Sequence, residues 1–192
     1  MKARIILQFS TTANIWQWRP PFFPNWASVA IRRMTHSPFS HVDFELPDGT
    51  LLGASDSPKA PVIKGNPRGV AIRPSNYEDF GLRRHMFLET EKADAILAFA
   101  MDQLGKPFDN TALRSFLSDA LPGERGWHNP DTWFCSEMVV CALEDGGFWS
   151  PVPAQWPKNR MSATDILMLL LFDPRWTNRA TFWTEPKFLI GG

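Results

Sequence analysis

Hydrophobic positions along this chain switch between two periods. From Ser40 to Leu46 they alternate, with Val42, Phe44 and Leu46 on one side and His41, Asp43 and Glu45 on the other. That period of two is the mark of a strand with one buried face. Pro47-Asp48-Gly49 supplies a turn, and Thr50 to Ala54 returns as the partner strand of a hairpin. Arg4 to Ser10 reads as a buried strand, and Gly69 to Arg73 and Arg84 to Leu88 as two shorter ones. The period lengthens to that of a helix at Ala93, Ile96, Leu97, Ala100, Met101 and Leu104, closed by Gly105 with Pro107 beyond. It does so again from Cys135 through Met138, Val139, Ala142 and Leu143 to about Asp145, where Gly146-Gly147 stop the helix. Val140 and Cys141 widen this stripe, so the helix is expected to be buried on most sides. A last helix is expected from Ser162-Ala163-Thr164-Asp165 to about Phe172.

Weaker signals fill the gaps. Ala27 to Met34, capped by Asn25, and Thr111 to Leu117, after Asp109-Asn110, read as short helices. Lys59 to Gly69 and Pro122 to Thr132 read as loops, and the tail from Asp173 as irregular with one strand at Ala180 to Trp183. Between Asn14 and Trp26, prolines interrupt a run of tryptophan and phenylalanine, and two readings stand: rings covering the sheet, or an aromatic lip for a ligand. No repeat, low-complexity tract or linker divides the chain, so one α+β domain over residues 1–192 is expected.

Composition narrows the classes of function. The 192 residues suffice for one filled core, and Lys+Arg and Asp+Glu balance at 20 each. That balance creates no global field for nucleic acid or an anionic membrane, so no nucleic-acid partner is expected. Nine Trp, fifteen Phe and seventeen Pro against one Tyr suggest an aromatic core wrapped by proline-stiffened loops. The run from Ile166 to Phe172 is far below the ~20 residues that cross a bilayer, and the apolar run near the N-terminus is too short for a signal peptide. A cytoplasmic protein without an integral membrane segment is therefore the expectation. The two cysteines, Cys135 and Cys141, lie roughly 9 Å apart along one helix and on different faces, too far for a disulfide. No cysteine or histidine pair stands at ligand spacing, so neither a metal nor a cofactor is expected.

Chemistry is concentrated at two places. Cys135 opens its helix, where unpaired N–H groups and the dipole favour an anion; it is either an activated nucleophile or a small hydrophobe on a buried helix. A thiol nucleophile needs a base and a group that orients the base. His41, on the polar side of its strand beside Ser37 and Ser40, is the best-placed base, or else an ordinary strand histidine. His36, His85 and His128 have no comparable setting, and Cys141 reads as core packing.

Pro38-Phe39-Ser40-His41-Val42, Leu104-Gly105-Lys106-Pro107-Phe108-Asp109 and Phe134-Cys135-Ser136-Glu137-Met138-Val139, in that order, resemble the motifs of the circularly permuted NlpC-type papain-like cysteine hydrolases, in particular the YiiX/YebB-like branch. The likeness spans roughly positions 37 to 140, with the helix start at Ser162 to Asp165 also fitting. It implies a papain-like fold, an antiparallel sheet packed against helices, with Cys135 as nucleophile at a helix N-terminus and His41 as base. The chain departs from the family twice. Where the family has a glutamate twelve residues after the histidine, this chain has Gly53; where it has a glycine two residues after, this chain has Asp43. Closing the hairpin with Leu46 opposite Thr50 sets Asp43 opposite Gly53, with directly opposed Cβ positions ~4.5–5.5 Å apart. Asp43 is thus expected to supply the missing carboxylate, with Asp56 in reserve and a plain solvated Asp43 as the rival reading. Asp109 and Glu137, which also match, read as structural: a cap for the next helix and an answer to the helix dipole. Cys135's own N–H is the expected oxyanion donor.

The expected function is that of a cysteine peptidase or amidase acting on a peptide or acyl substrate, cell-wall stem peptides by resemblance. Such a substrate would have to be reached by phage delivery or release at lysis. A lipid acyltransferase or thioesterase of the same fold is the enzyme alternative, though the Asn-Cys context of the lecithin retinol acyltransferase relatives is absent, Phe134 standing before the cysteine. A non-catalytic phage or prophage structural or binding protein that keeps the fold is the other class.

Overall fold

The alternation of the N-terminal strand decides how the molecule is layered. In a computed structural model, which describes residues 2–11, 31–33, 35–57, 60–77, 82–111, 129, 131–148, 158 and 161–183, β1 (Ala3–Ser10) directs Ile5, Leu7 and Phe9 into the main core. β1 is flanked on both sides by antiparallel partners, β2 (His41–Glu45) and β6 (Leu82–Thr90). The sheet extends through β3 (Leu51–Ser55), β5 (Gly69–Arg73) and the two-residue β4 (Lys64–Gly65) on one side. On the other it ends at β7 (Trp176–Trp183), giving the order β4-β5-β3-β2-β1-β6-β7 with every pairing antiparallel. The fold is α+β, an antiparallel sheet with helices packed on it.

Among the described residues, three helices of ten or eleven residues join that sheet. α1 (Ala93–Asp102) buries Ala93, Ile96 and Ala100 and packs against α2 (Cys135–Asp145), which in turn lies on β2 and β3. Every residue from Cys135 to Leu143 is buried, as expected from a stripe too wide for a surface helix. α3 (Ala163–Phe172) starts at Ser162, whose Oγ accepts from the Asp165 N–H at 3.1 Å while the Ser162 N–H donates to Asp165 Oδ2 at 2.8 Å. This reciprocal cap satisfies two N–H groups that a helix start leaves free. Among the described residues no helix is long and apolar enough to cross a membrane.

Several boundaries differ from the sequence reading. The loop from Lys59 to Gly69 contains β4, held by Ile63 N–H to the Ile72 carbonyl at 2.9 Å and Asn66 N–H to the Val70 carbonyl at 3.1 Å. Two residues bounded by proline and glycine carry no period to read. β7 begins at Trp176, four residues before the expected strand, because backbone bonds to β6 define this edge strand and it needs no clean alternation. α1 ends at Asp102 instead of Leu104; its last turn tightens, with Leu104 N–H reaching the Met101 carbonyl at 3.0 Å. Of the expected helix from Ala27 to Met34, residues 31–33 are described and helical, and of that from Thr111 to Leu117 only Thr111 is, with helical Asn110 before it. The aromatic stretch from Asn14 to Trp26 and the Asn25 cap lie outside the described residues.

The sheet is covered on both faces where the site lies. Val42, Phe44, Leu52 and Ala54 face the helices. On the opposite face Leu51, Ala60 and Tyr77 form a second buried cluster. His41 and Asp43, placed by alternation on a polar side, are therefore buried at 5% and 1% exposure instead of solvated.

Candidate active site

The site starts from the hairpin. Phe44 pairs with Leu52 and Glu45 with Leu51, and the Leu46 N–H donates to the Thr50 carbonyl at 2.8 Å. In this register Asp43 stands opposite Gly53, as the turn at Pro47-Asp48-Gly49 leads one to expect. The fit is close: a Cβ at Gly53 would lie 1.8 Å from Asp43 Oδ1. The carboxylate of Asp43 occupies the space that a side chain at position 53 would need.

Asp43 turns that position into a contact with His41. Its Oδ1 lies 2.8 Å from His41 Nε2, both groups buried. Two bare acceptors would repel at this distance, so Nε2 carries a proton and donates it to the carboxylate. The other ring nitrogen, Nδ1, is then left for the thiol. Cys135 stands close enough to act on the imidazole and, with Asp43, favours its charged form. Burial by itself would pull the His41 pKa down, but the charges and hydrogen bonds of Asp43 and Cys135 outweigh it and hold the pKa well above the ordinary 6.5.

Cys135 is the first residue of α2, following an extended Phe134 at the cap position. It is buried, in a small cluster with Ile31, Phe134 and the partly buried Phe108. Its N–H is among those a helix start leaves without an intrahelical acceptor, the right kind of donor for an oxyanion. Glu137, wholly buried one turn on, reaches back so that the Phe134 N–H donates to its Oε2 at 3.4 Å. Cys141 is buried farther along the same helix: burial pushes its thiol up to about 12, against the pull of Lys158 and helped by Glu137, Glu144 and Asp145. It is packing material.

The lysine-proline motif supplies the splice that sets Cys135 in place. The Lys106 carbonyl accepts from Val70 N–H at 2.8 Å, and Phe108 N–H donates to the Arg68 carbonyl at 2.9 Å, bonding this segment to the start of β5. On its other side, Trp133 N–H donates to the Pro107 carbonyl and Asp109 N–H to the Trp133 carbonyl, both at 3.0 Å. Residues 106–109 thus form a short splint between β5 and the residues just ahead of Cys135. Phe108 then meets Phe134 edge-on, with ring centroids 5.6 Å apart.

Of the sequence-predicted residues, Cys135, His41 and Asp43 are brought together, and Asp56 is not. Asp56 follows β3 and is exposed. Asp109 is buried immediately before helical Asn110, the position of a cap. Two residues had no signal in the sequence reading. The Tyr77 hydroxyl lies 3.0 Å from His41 Nε2 and 3.1 Å from Asp43 Oδ2. Arg73, fully buried, donates to the Gly53 carbonyl at 2.9 Å and the Gly69 carbonyl at 3.0 Å, and its guanidinium lies 5.3 Å from the Tyr77 ring centre. Arg73 closes an expected strand that assigns it no role, and Tyr77 lies in no expected element; the one available hint is that Tyr77 is the single tyrosine of the chain.

No protein-family model matches the chain, and no curated protein sequence matches it.

Proposed function

We propose that this chain is a thiol-dependent acyl hydrolase, an amidase or peptidase, with a circularly permuted papain-like fold of the NlpC type. The observation that carries the reading is a buried imidazole whose Nε2 lies 2.8 Å from Asp43 Oδ1 and whose charged form is favoured by Asp43 and by Cys135, the first residue of a helix. The permutation reading rests on chain order, the histidine on β2 preceding the cysteine on α2. In this account the Cys135 thiolate adds to the substrate carbonyl carbon, and the displaced electron pair collects on oxygen beside the Cys135 N–H. Collapse breaks the bond to the leaving amine, which takes the His41 proton, and a thioester remains. Water then adds to the thioester and gives a proton to His41. A second collapse releases the acid and restores the thiolate and imidazolium. Asp43 holds the ring with Nδ1 towards sulfur throughout.

The proposed substrates are peptide amides of the kind found in bacterial cell-wall stems. A lipid ester or thioester would pass through the same two steps with an alcohol or thiol leaving. Against a non-catalytic binding protein stands Asp43, whose carboxylate fills the space at Gly53 where the resembled family carries its glutamate. The test is to incubate the purified chain with cell-wall peptide fragments and, separately, with acyl esters, following products and Cys135 adducts by mass spectrometry. One substrate class should be hydrolysed, and Cys135→Ala and His41→Ala should each abolish turnover. Turnover that survives Cys135→Ala would discard the mechanism.

A further inference from the structure

Beyond the three residues of the proposed mechanism, the site contains a fourth group that touches two of them. The Tyr77 hydroxyl has one proton and two lone pairs. Its proton goes to Asp43 Oδ2 at 3.1 Å, leaving its oxygen to accept from His41 Nε2–H at 3.0 Å. The same Nε2–H points to Asp43 Oδ1 at 2.8 Å, so imidazole, carboxylate and phenol close a three-membered ring in which two protons serve three contacts, the Nε2–H being shared between the carboxylate and the phenol oxygen. Asp43 is buried at 1% exposure and Tyr77 at 5%, so a lost partner there would not be replaced freely by solvent.

Composition adds an independent observation. The chain uses phenylalanine fifteen times, tryptophan nine times and tyrosine once. The lone phenol lies on the imidazole–carboxylate pair, where phenylalanine would fill the same apolar space beside Leu51 and Ala60. Support from beneath comes from Arg73, whose guanidinium faces the Tyr77 ring and whose Nη1 holds the Gly53 carbonyl directly behind Asp43. From neighbouring elements, Cys135 of α2 acts on the imidazole of this ring, and the Arg73 guanidinium of β5 lies against the Tyr77 ring and the Gly53 carbonyl.

We infer that Tyr77 is a positioning residue: it shares with Asp43 the task of fixing the His41 tautomer and ring plane, so the orienting element of this site is an Asp43–Tyr77 pair in place of a single carboxylate. The inference rests on the proposed reading of Cys135 and His41 as an activated pair, and its test separates the two. Arg73 steadies the phenol through its ring face; it does not touch the reacting groups.

The probe is iodoacetamide, with the second-order alkylation rate at Cys135 followed by peptide mass spectrometry across pH in the full chain, in His41→Ala and in Tyr77→Phe. Tyr77→Phe keeps the ring and removes the hydroxyl. Asp43 then loses a donor while buried, so the acid limb of the alkylation profile should move to higher pH and the plateau rate fall roughly tenfold. A purely structural phenol would lower the unfolding midpoint and leave the profile of the folded protein unmoved. If Tyr77→Phe matches the unmodified chain while His41→Ala slows alkylation, the role given to Tyr77 is wrong and the Cys135–His41 reading stands. If His41→Ala also matches, the activated pair itself is lost, and the inference with it. A second measurement needs no variant: with one tyrosine in the chain, 13C-labelled tyrosine gives one set of ring signals. Those signals should titrate in step with His41, and shifts that stay flat through the His41 transition would overturn the assignment.

Discussion

The charge state of His41 is the residue-scale property on which the rest depends. A histidine whose folded pKa is raised binds its proton more tightly in the native state than in the unfolded chain. That stabilisation is complete below the unfolded value of about 6.5 and is lost as pH rises through the raised folded pKa. Urea midpoints measured from about pH 6 upward should therefore fall with rising pH through the His41 titration, and His41→Gln should flatten that part of the profile. Asp43 bears on the same proton. Asp43→Asn preserves shape but can present an amide N–H to Nε2 and favour the wrong tautomer. In that variant kcat on any turned-over substrate should drop on the order of 10²-fold or more, and the pH-dependent part of the unfolding midpoint should shrink, because Asp43 is one of the groups that hold the His41 proton. An Asp43→Asn enzyme of full activity would remove the carboxylate from the mechanism.

At the scale of elements, the hairpin of β2 and β3 lets a carboxylate come from either strand. Asp43 and a side chain at position 53 compete for one volume, since a Cβ there would sit 1.8 Å from Asp43 Oδ1. Gly53→Glu alone should then displace Asp43 and abolish activity, whereas Asp43→Gly combined with Gly53→Glu should recover a substantial part of it. The non-additivity is the readout, because residues in direct contact couple. A double variant no better than the worse single one would show that the two positions are not interchangeable sources of the same charge. Helix α2 contributes differently: its start sets the sulfur, and its uniformly buried length fixes that start against β2 and β3.

For the molecule as a whole, the requirement is that a strand near the start of the chain meet a helix far along it. The splint at 106–109 ties the start of that helix to β5, which β3 joins to β2, and Gly69 permits it. A Cβ at Gly69 would lie 2.0 Å from the Lys106 carbonyl oxygen, a backbone atom that cannot swing aside. Gly69→Ala should cost on the order of 2 kcal/mol in urea unfolding and should also disturb Cys135 alkylation, because the splint continues into Trp133. Alkylation unchanged in a variant so destabilised would mean that the splint holds the fold without setting the nucleophile.

Periodicity alone determined the main strands and both long helical stripes, because burial on one face writes itself into every second or every third-to-fourth residue. It also determined that Asp43 opposes Gly53, since a tight turn fixes the register of a short hairpin. Tyr77 and Arg73 were decided by tertiary structure alone. Their roles depend on which groups lie across the sheet face from them, and no local period encodes that. The burial of His41 and Asp43 is of the same kind: alternation placed them on a polar side, and only packing of the second cluster over that side withdrew them from water. In that dry setting the imidazole, carboxylate and thiol answer chiefly to one another.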